Sequence, residues 1–222
     1  MNLVLIGGCN FSLNENKHIH SKIIELSKKS KPRLLYIHVS NKKIDDILST
    51  FNEFDIELKV YEKLSDIDWA DIIFIGGGNT EAMIKDFKAK GITNKLIEHI
   101  NDKMICGVSA GAIFWFDKYY SDTYSYPNNS YVYNYKLLPG IGYFNGYITP
   151  HYNEVGKENF SDEIDNTFSI ALENNTALFI SDNNVDYILD RKGSAIYFYL
   201  NNKLNLLDET NKGLILENII KK

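Results

Sequence analysis

Met104-Ile105-Cys106-Gly107-Val108-Ser109-Ala110-Gly111-Ala112 is the stretch from which the fold is best read. Its first five residues are apolar or small and predict a buried strand over Met104–Val108. The next residues, 110–116, begin a helix. Between the two lies Gly107-Val108-Ser109-Ala110-Gly111, a G-x-S-x-G pattern that puts Ser109 on a sharp strand-to-helix turn. Small neighbours let the backbone bend and leave the hydroxyl exposed. The N–H of Ala110, at the start of the helix, then points toward any oxyanion that forms. A helix N-cap would also explain the serine. The apolar strand before it and the helix after it favour a nucleophile.

Working outward, the first half alternates between strand and helix. Strands are expected at Asn2–Ile6, 33–39, 56–61 and 71–75, and helices near 17–29, 42–51, 80–88 and 93–101. This order predicts an α/β fold with a mostly parallel sheet sandwiched by helices. In such sheets ligands gather at the carboxyl ends of the strands. The loops after Ile6, Ile75 and Val108 are therefore expected on one face. The second half reads differently. Short strands are expected near 177–181, 185–190 and 195–200, forming antiparallel hairpins, with Asn201-Asn202 as a turn. Seven tyrosines, at 119, 120, 124, 126, 131, 133 and 135, mark a long irregular segment or a pair of short strands. That segment is expected to border the site or a subunit contact, which would imply a homodimer.

The 222 residues suit a single domain spanning 1–222. Apolar residues at 44% and a formal charge of −5 fit an ordinary folded chain. No basic stripe recommends a nucleic acid, and no apolar run approaches the ~20 residues that span a membrane. The N-terminus lacks a basic leader, and Cys9 and Cys106 form no CxxC pair, so a reducing cytoplasmic setting is expected. No metal-ligand cluster is evident. His18 and His20, at i and i+2 on a helix, point to different sides.

Ser109 needs a base. Of the five histidines, His151 is the only one after Ser109, in the constrained loop Thr149-Pro150-His151-Tyr152-Asn153. Only 42 positions separate the two, little room for the Ser–acid–His order, in which Asp117 or Asp122 would be the acid. The order Ser–His–acid fits the spacing better. Gly76-Gly77-Gly78-Asn79-Thr80 follows the fourth strand and is neither G-x-G-x-x-G nor a P-loop, so no nucleotide cofactor is expected. It can offer a second oxyanion N–H, or simply cap a helix with Asn79 or Thr80.

Together, Gly76-Gly77-Gly78-Asn79-Thr80, Gly107-Val108-Ser109-Ala110-Gly111-Ala112 and Pro150-His151-Tyr152 resemble the dipeptidase E and cyanophycinase family of serine peptidases. The resemblance covers most of the chain. It implies a class I glutamine amidotransferase-like fold, Ser109 as nucleophile, His151 as general base, and an oxyanion hole near Gly78, Asn79 and Ala110. It also implies a small peptide substrate and no cofactor or metal. For the acid, Ala171-Leu172-Glu173-Asn174-Asn175 resembles the segment where relatives place a glutamate, and Asp122 resembles an aspartate that follows the elbow. Glu173 is preferred over Asp122.

One departure is plain. Family members that cleave after aspartate are expected to hold it with an arginine after the histidine, yet residues 152–190 contain none. Lys157 offers a point charge at most, which argues against strict aspartyl specificity. The expected activity is a serine exopeptidase acting on dipeptides or short peptides. The alternatives are another acyl hydrolase, such as an esterase or cyanophycin-type enzyme, and a catalytically silent small-molecule binder. An amidotransferase would need a cysteine at the elbow, and Cys106 falls three residues early.

Overall fold

The computed structural model describes residues 1–39, 44–122 and 134–221. Five strands form the parallel part of a seven-stranded sheet: β1 (Asn2–Ile6), β2 (Arg33–Ile37), β3 (Glu57–Val60), β4 (Ile72–Ile75) and β5 (Met104–Val108). Leu3 pairs with Ile105 between β1 and β5, and Phe74 with Cys106 between β4 and β5. The connections run through α1 (Lys17–Leu26), α2 (Ile44–Phe51), α3 (Asp66–Trp69), α4 (Thr80–Ala89) and α5 (Ile92–Glu98). Late in the chain, β10 (Thr176–Ser181) joins antiparallel to β1, and β11 (Val185–Leu189) joins β10.

A second, six-stranded sheet takes up most of the chain beyond the elbow. Its strands are β6 (Phe116–Ser121), β7 (Lys136–Pro139), β8 (Phe144–Thr149), β9 (Ser169–Leu172), β12 (Ile196–Leu200) and β13 (Lys203–Leu206), in the order β13-β12-β9-β8-β6-β7. β6, β8 and β9 are parallel and the outer pairs antiparallel. Asn201 and Asn202 both take positive φ, 52° and 59°, and close the β12–β13 hairpin as expected.

Alternation along the first sheet sorts its side chains into two cores. On one face Val4, Ile6, Leu34, Phe74 and Cys106 meet Ile19 and Ile23 of α1 and Phe51 of α2. On the other, Leu3, Leu5, Leu35 and Ile73 share a cluster with Phe87 of α4 and Leu96 of α5. Trp115, Phe144, Ile170 and Phe198 from the second sheet side belong to the same cluster. The second sheet and two helices thus cover one face, and α1 and α2 cover the other.

The expected helix at 110–116 is cut short. α6 spans only Ala110–Ile113, and the chain enters β6 at Phe116. Ile113, Phe114, Trp115 and Phe116 are all fully buried, so this run has no polar face to offer a surface helix. α7 (Phe160–Glu163) and α8 (Gly213–Ile219) complete the set. Of the tyrosine-rich segment, Tyr119 and Tyr120 lie in β6 and Tyr135 stacks on Tyr120, with ring centroids 5.6 Å apart. Tyr124, Tyr126, Tyr131 and Tyr133 lie outside the described residues.

Candidate active site

β5 ends at Val108, and Ser109 turns the chain with φ 54° and ψ −114°, a combination that side chains rarely adopt. Its own N–H bonds to the Ile6 carbonyl at 3.0 Å, and its carbonyl accepts from Ala112 and Ile113, so the turn is fixed on both sides. A Cβ on Gly107 would run into the backbone of Gly111, and one on Gly111 into the carbonyl of Ile75. The glycines of the pattern are therefore demanded by packing at the turn.

β8 delivers His151 from the second sheet. The residue takes a left-handed φ of 54°, and its N–H reaches the Gly7 carbonyl. Its Nε2 lies 2.9 Å from Ser109 Oγ. Its Nδ1 lies 2.6 Å from Asn174 Oδ1. Asn174 Nδ2 in turn donates to Glu154 Oε1 at 3.2 Å. Because the amide nitrogen serves Glu154, the oxygen faces the ring, and the imidazole proton belongs on Nδ1. Nε2 is then the lone pair that accepts from Ser109. A Cβ on Gly8 would fall on both the imidazole and Asn174 Oδ1, so this glycine keeps the space in which the two meet.

Burial lowers the His151 pKa below the ordinary 6.5. Glu154 and the Asn174 hydrogen bond push it back up, Lys157 pulls it down and Asp122 raises it. The net effect favours the neutral ring, the form a general base would need. Lys157 itself is enclosed. Its Nζ donates to the Tyr120 carbonyl and to Thr149 Oγ1, both at 3.1 Å, and sits 4.4 Å from the Tyr135 ring centroid. Burial draws its pKa down to about 8. It braces the loop that carries His151 and does not present a free charge.

The structure corrects the expected acid. Glu173 does not reach His151. Its Oε2 accepts the Ala195 N–H at 2.7 Å, and its own N–H bonds the Ala195 carbonyl, so the residue prolongs the β9–β12 ladder. Successive side chains point to opposite sides as β9 ends, and it is Asn174 that turns toward the ring. Asp122 accepts from Ser121 Oγ at 3.4 Å and acts on His151 only through its charge. Sequence reading missed Asn174, Glu154 and Gly8. Asn174 stands one position from the residue chosen, and Glu154 three after the histidine, the spacing of a turn.

Asn79 caps α4, its Oδ1 accepting from Ala82 at 2.9 Å. Thr80 is the first residue of that helix and is buried. Among the loop glycines, Gly77 approaches Ser109, since a Cβ there would stand 3.2 Å from Ser109 Cβ. Gly78 follows it, and Ala110 opens α6 directly after Ser109. Cys106 is fully buried in β5 with its thiol pKa pushed far up by desolvation, so it offers no nucleophile. His18 pairs with Asp190, and His20 is enclosed by Phe11, Phe51 and Phe74. No helix among the described residues is long and apolar enough to cross a membrane.

The sequence profile of peptidase family S51 matches residues 3–188, most of the chain, including Ser109, His151, Glu154 and Asn174. The chain belongs to peptidase family S51. A curated relative, the uncharacterized peptidase YgaJ of Bacillus subtilis (strain 168), is 26% identical over 215 residues, covering 88% of this chain and 90% of the relative. Two solved structures share the fold at 16% identity. A putative peptidase E protein from Listeria monocytogenes EGD-e superposes with a TM-score of 0.62, covering 85% of this chain and 98% of that one. A peptidase from an acI-B1 Actinobacterium superposes with 0.67, covering 93% of each. This peptidase therefore shares its architecture with other proteins named as peptidases, and the serine–histidine pair lies inside the matched region.

Proposed function

We propose that the protein is a cytoplasmic serine exopeptidase that hydrolyses dipeptides or short peptides at the N-terminal residue. One observation carries this reading: Ser109 Oγ, on a strained elbow, lies 2.9 Å from a histidine nitrogen that the surrounding hydrogen bonds leave free to accept a proton. Ser109 attacks the scissile carbonyl as His151 Nε2 takes its proton. The tetrahedral oxyanion is received by the N–H of Ala110 and an N–H of the Gly77–Gly78 loop. His151 then protonates the leaving amine, and water, activated by the same imidazole, releases the acyl group. The structural neighbours, both named as peptidases, fit a peptide substrate.

Strict selection of an N-terminal aspartate is not expected. Residues 152–190 contain no arginine, and Lys157 is enclosed. Arg33 is held by Asp71 at the opposite, N-terminal end of its strand. A dipeptide-library screen of wild type beside Ser109→Ala tests the proposal. Hydrolysis by the wild type alone, with no preference for Asp-Xaa, is the expected outcome. Equal turnover by both proteins would remove Ser109 from the chemistry.

A further inference from the structure

We propose that Asn174 and Glu154 together take the place of a single acid behind His151, the asparagine fixing the ring and the glutamate, beside both, supplying the negative charge. The proposal rests on the serine-peptidase reading of Ser109 and His151. In a Ser-His-acid site a carboxylate accepts directly from Nδ1–H, holds the tautomer and stabilises the imidazolium. Here the group at that position is a neutral amide oxygen, 2.6 Å from Nδ1. An amide fixes the tautomer as well as a carboxylate does, but brings no charge. The charge stands beside both groups. Glu154 Oε1 lies 3.2 Å from Asn174 Nδ2 and 3.4 Å from His151 Nδ1.

The hydrogen bonds run in one direction: Ser109 hydroxyl to Nε2, Nδ1–H to Asn174 Oδ1, Asn174 Nδ2–H to Glu154. Donating to a carboxylate draws electron density toward the amide oxygen and strengthens the bond that the oxygen accepts. The backbone holds this unit in place. Glu154 N–H bonds the His151 carbonyl at 2.9 Å, which folds the carboxylate back beside the ring. Asn153 Oδ1 accepts the Asn174 N–H at 3.0 Å, which clips the two loops together. The other charged groups acting on the ring are Lys157 and Asp122, and their effects on it have opposite sign. Glu154 and Asn174 are positioning residues in this scheme, and neither touches the substrate.

The test measures the rate at which a fluorophosphonate labels Ser109, and dipeptide kcat/KM, both against pH. The proteins compared are wild type, Glu154→Gln and the double variant Asn174→Asp/Glu154→Gln. Glu154 is half-exposed, so Glu154→Gln is expected to fold, with the melting curve as control. It should slow labelling roughly 10–100-fold, part of the ~10²–10⁴ that a positioned base contributes. Its acid limb should move to lower pH, because a carboxylate that favours the charged ring is gone. The double variant moves the charge onto position 174 and should recover labelling to within about tenfold of wild type, with the acid limb returning upward. Glu154→Gln labelling at the wild-type rate with an unmoved limb overturns the proposal. So does a loss that the double variant fails to recover. A folded wild type that takes no label at all overturns the Ser109 reading itself, and the relay with it.

Discussion

Ser109 holds a backbone conformation that costs on the order of 1–3 kcal/mol. Ser109→Gly loses the Cβ responsible, so this variant is expected to be inactive yet to melt above Ser109→Ala, as scanning calorimetry of the two would show. Ser109→Ala should leave only the ~10³–10⁴-fold over water that an oxyanion hole and binding supply. His151 must be neutral to accept the proton, and burial sets its pKa below the ordinary 6.5. The acid limb of kcat/KM is therefore expected below pH 6.5, with activity lost only as pH falls through the lowered value. A limb above 6.5 would mean that the ring gains more from Glu154 than it loses to desolvation. At this scale the pairing of Ser109 with His151 was legible. Ser109 stands in a pattern that few roles demand, and His151 is the only histidine downstream of it. The partner of His151 was not legible, because neighbours at a strand end differ by which side they face. A sequence carries that information only through a register it does not print, so Glu173 and Asn174 exchange roles on one step of alternation.

The elbow and the loop after β1 are the elements that bring the pair together, and their glycines separate two kinds of failure. A Cβ at Gly107 meets the backbone of Gly111, which cannot move without breaking the turn. Gly107→Ala is expected to destabilise the protein by roughly 1–3 kcal/mol, visible as a lower denaturation midpoint. A Cβ at Gly8 meets the imidazole and Asn174, which are side chains and can yield. Gly8→Ala is expected to keep most of its stability while losing on the order of 10²-fold in kcat/KM, since a displacement of about 1 Å has that effect. Loss of folding with Gly8→Ala, or normal turnover, would contradict the placement of this glycine. The parallel half of the first sheet was legible because its strands are apolar or, in β3, alternating runs divided by amphipathic helices. Of the second sheet, β12 and its Asn201-Asn202 turn were legible and most of the rest was not. β6 begins inside an apolar run that periodicity cannot assign, and β7 and β9 are only four residues long.

Across the whole molecule, acid stability has an identifiable source. His20 is fully buried among three phenylalanines, and neither ring nitrogen has a hydrogen-bond partner among the described residues. Desolvation depresses its pKa from 6.5 to about 4. The unfolded chain therefore binds a proton that the native chain refuses, and stability falls as pH drops from 6.5 toward 4, by about 3 kcal/mol in all. Above 6.5 this contribution is constant. His20→Phe should flatten that part of the stability curve by close to one proton, read from urea midpoints at several pH values. An unchanged slope would place the acid sensitivity elsewhere. The two sheets also have a temporal consequence. Ser109 emerges from the ribosome in the first half of the chain, His151 some forty residues later, and Asn174 later still, on the link from β9 to β10. β10 and β11 then extend the sheet whose β5 leads into Ser109. On the proposed serine chemistry, a nascent chain is expected to be chemically silent until then. Chains released before residue 181 are expected to take no fluorophosphonate label, so that hydrolytic power arrives only with a finished molecule.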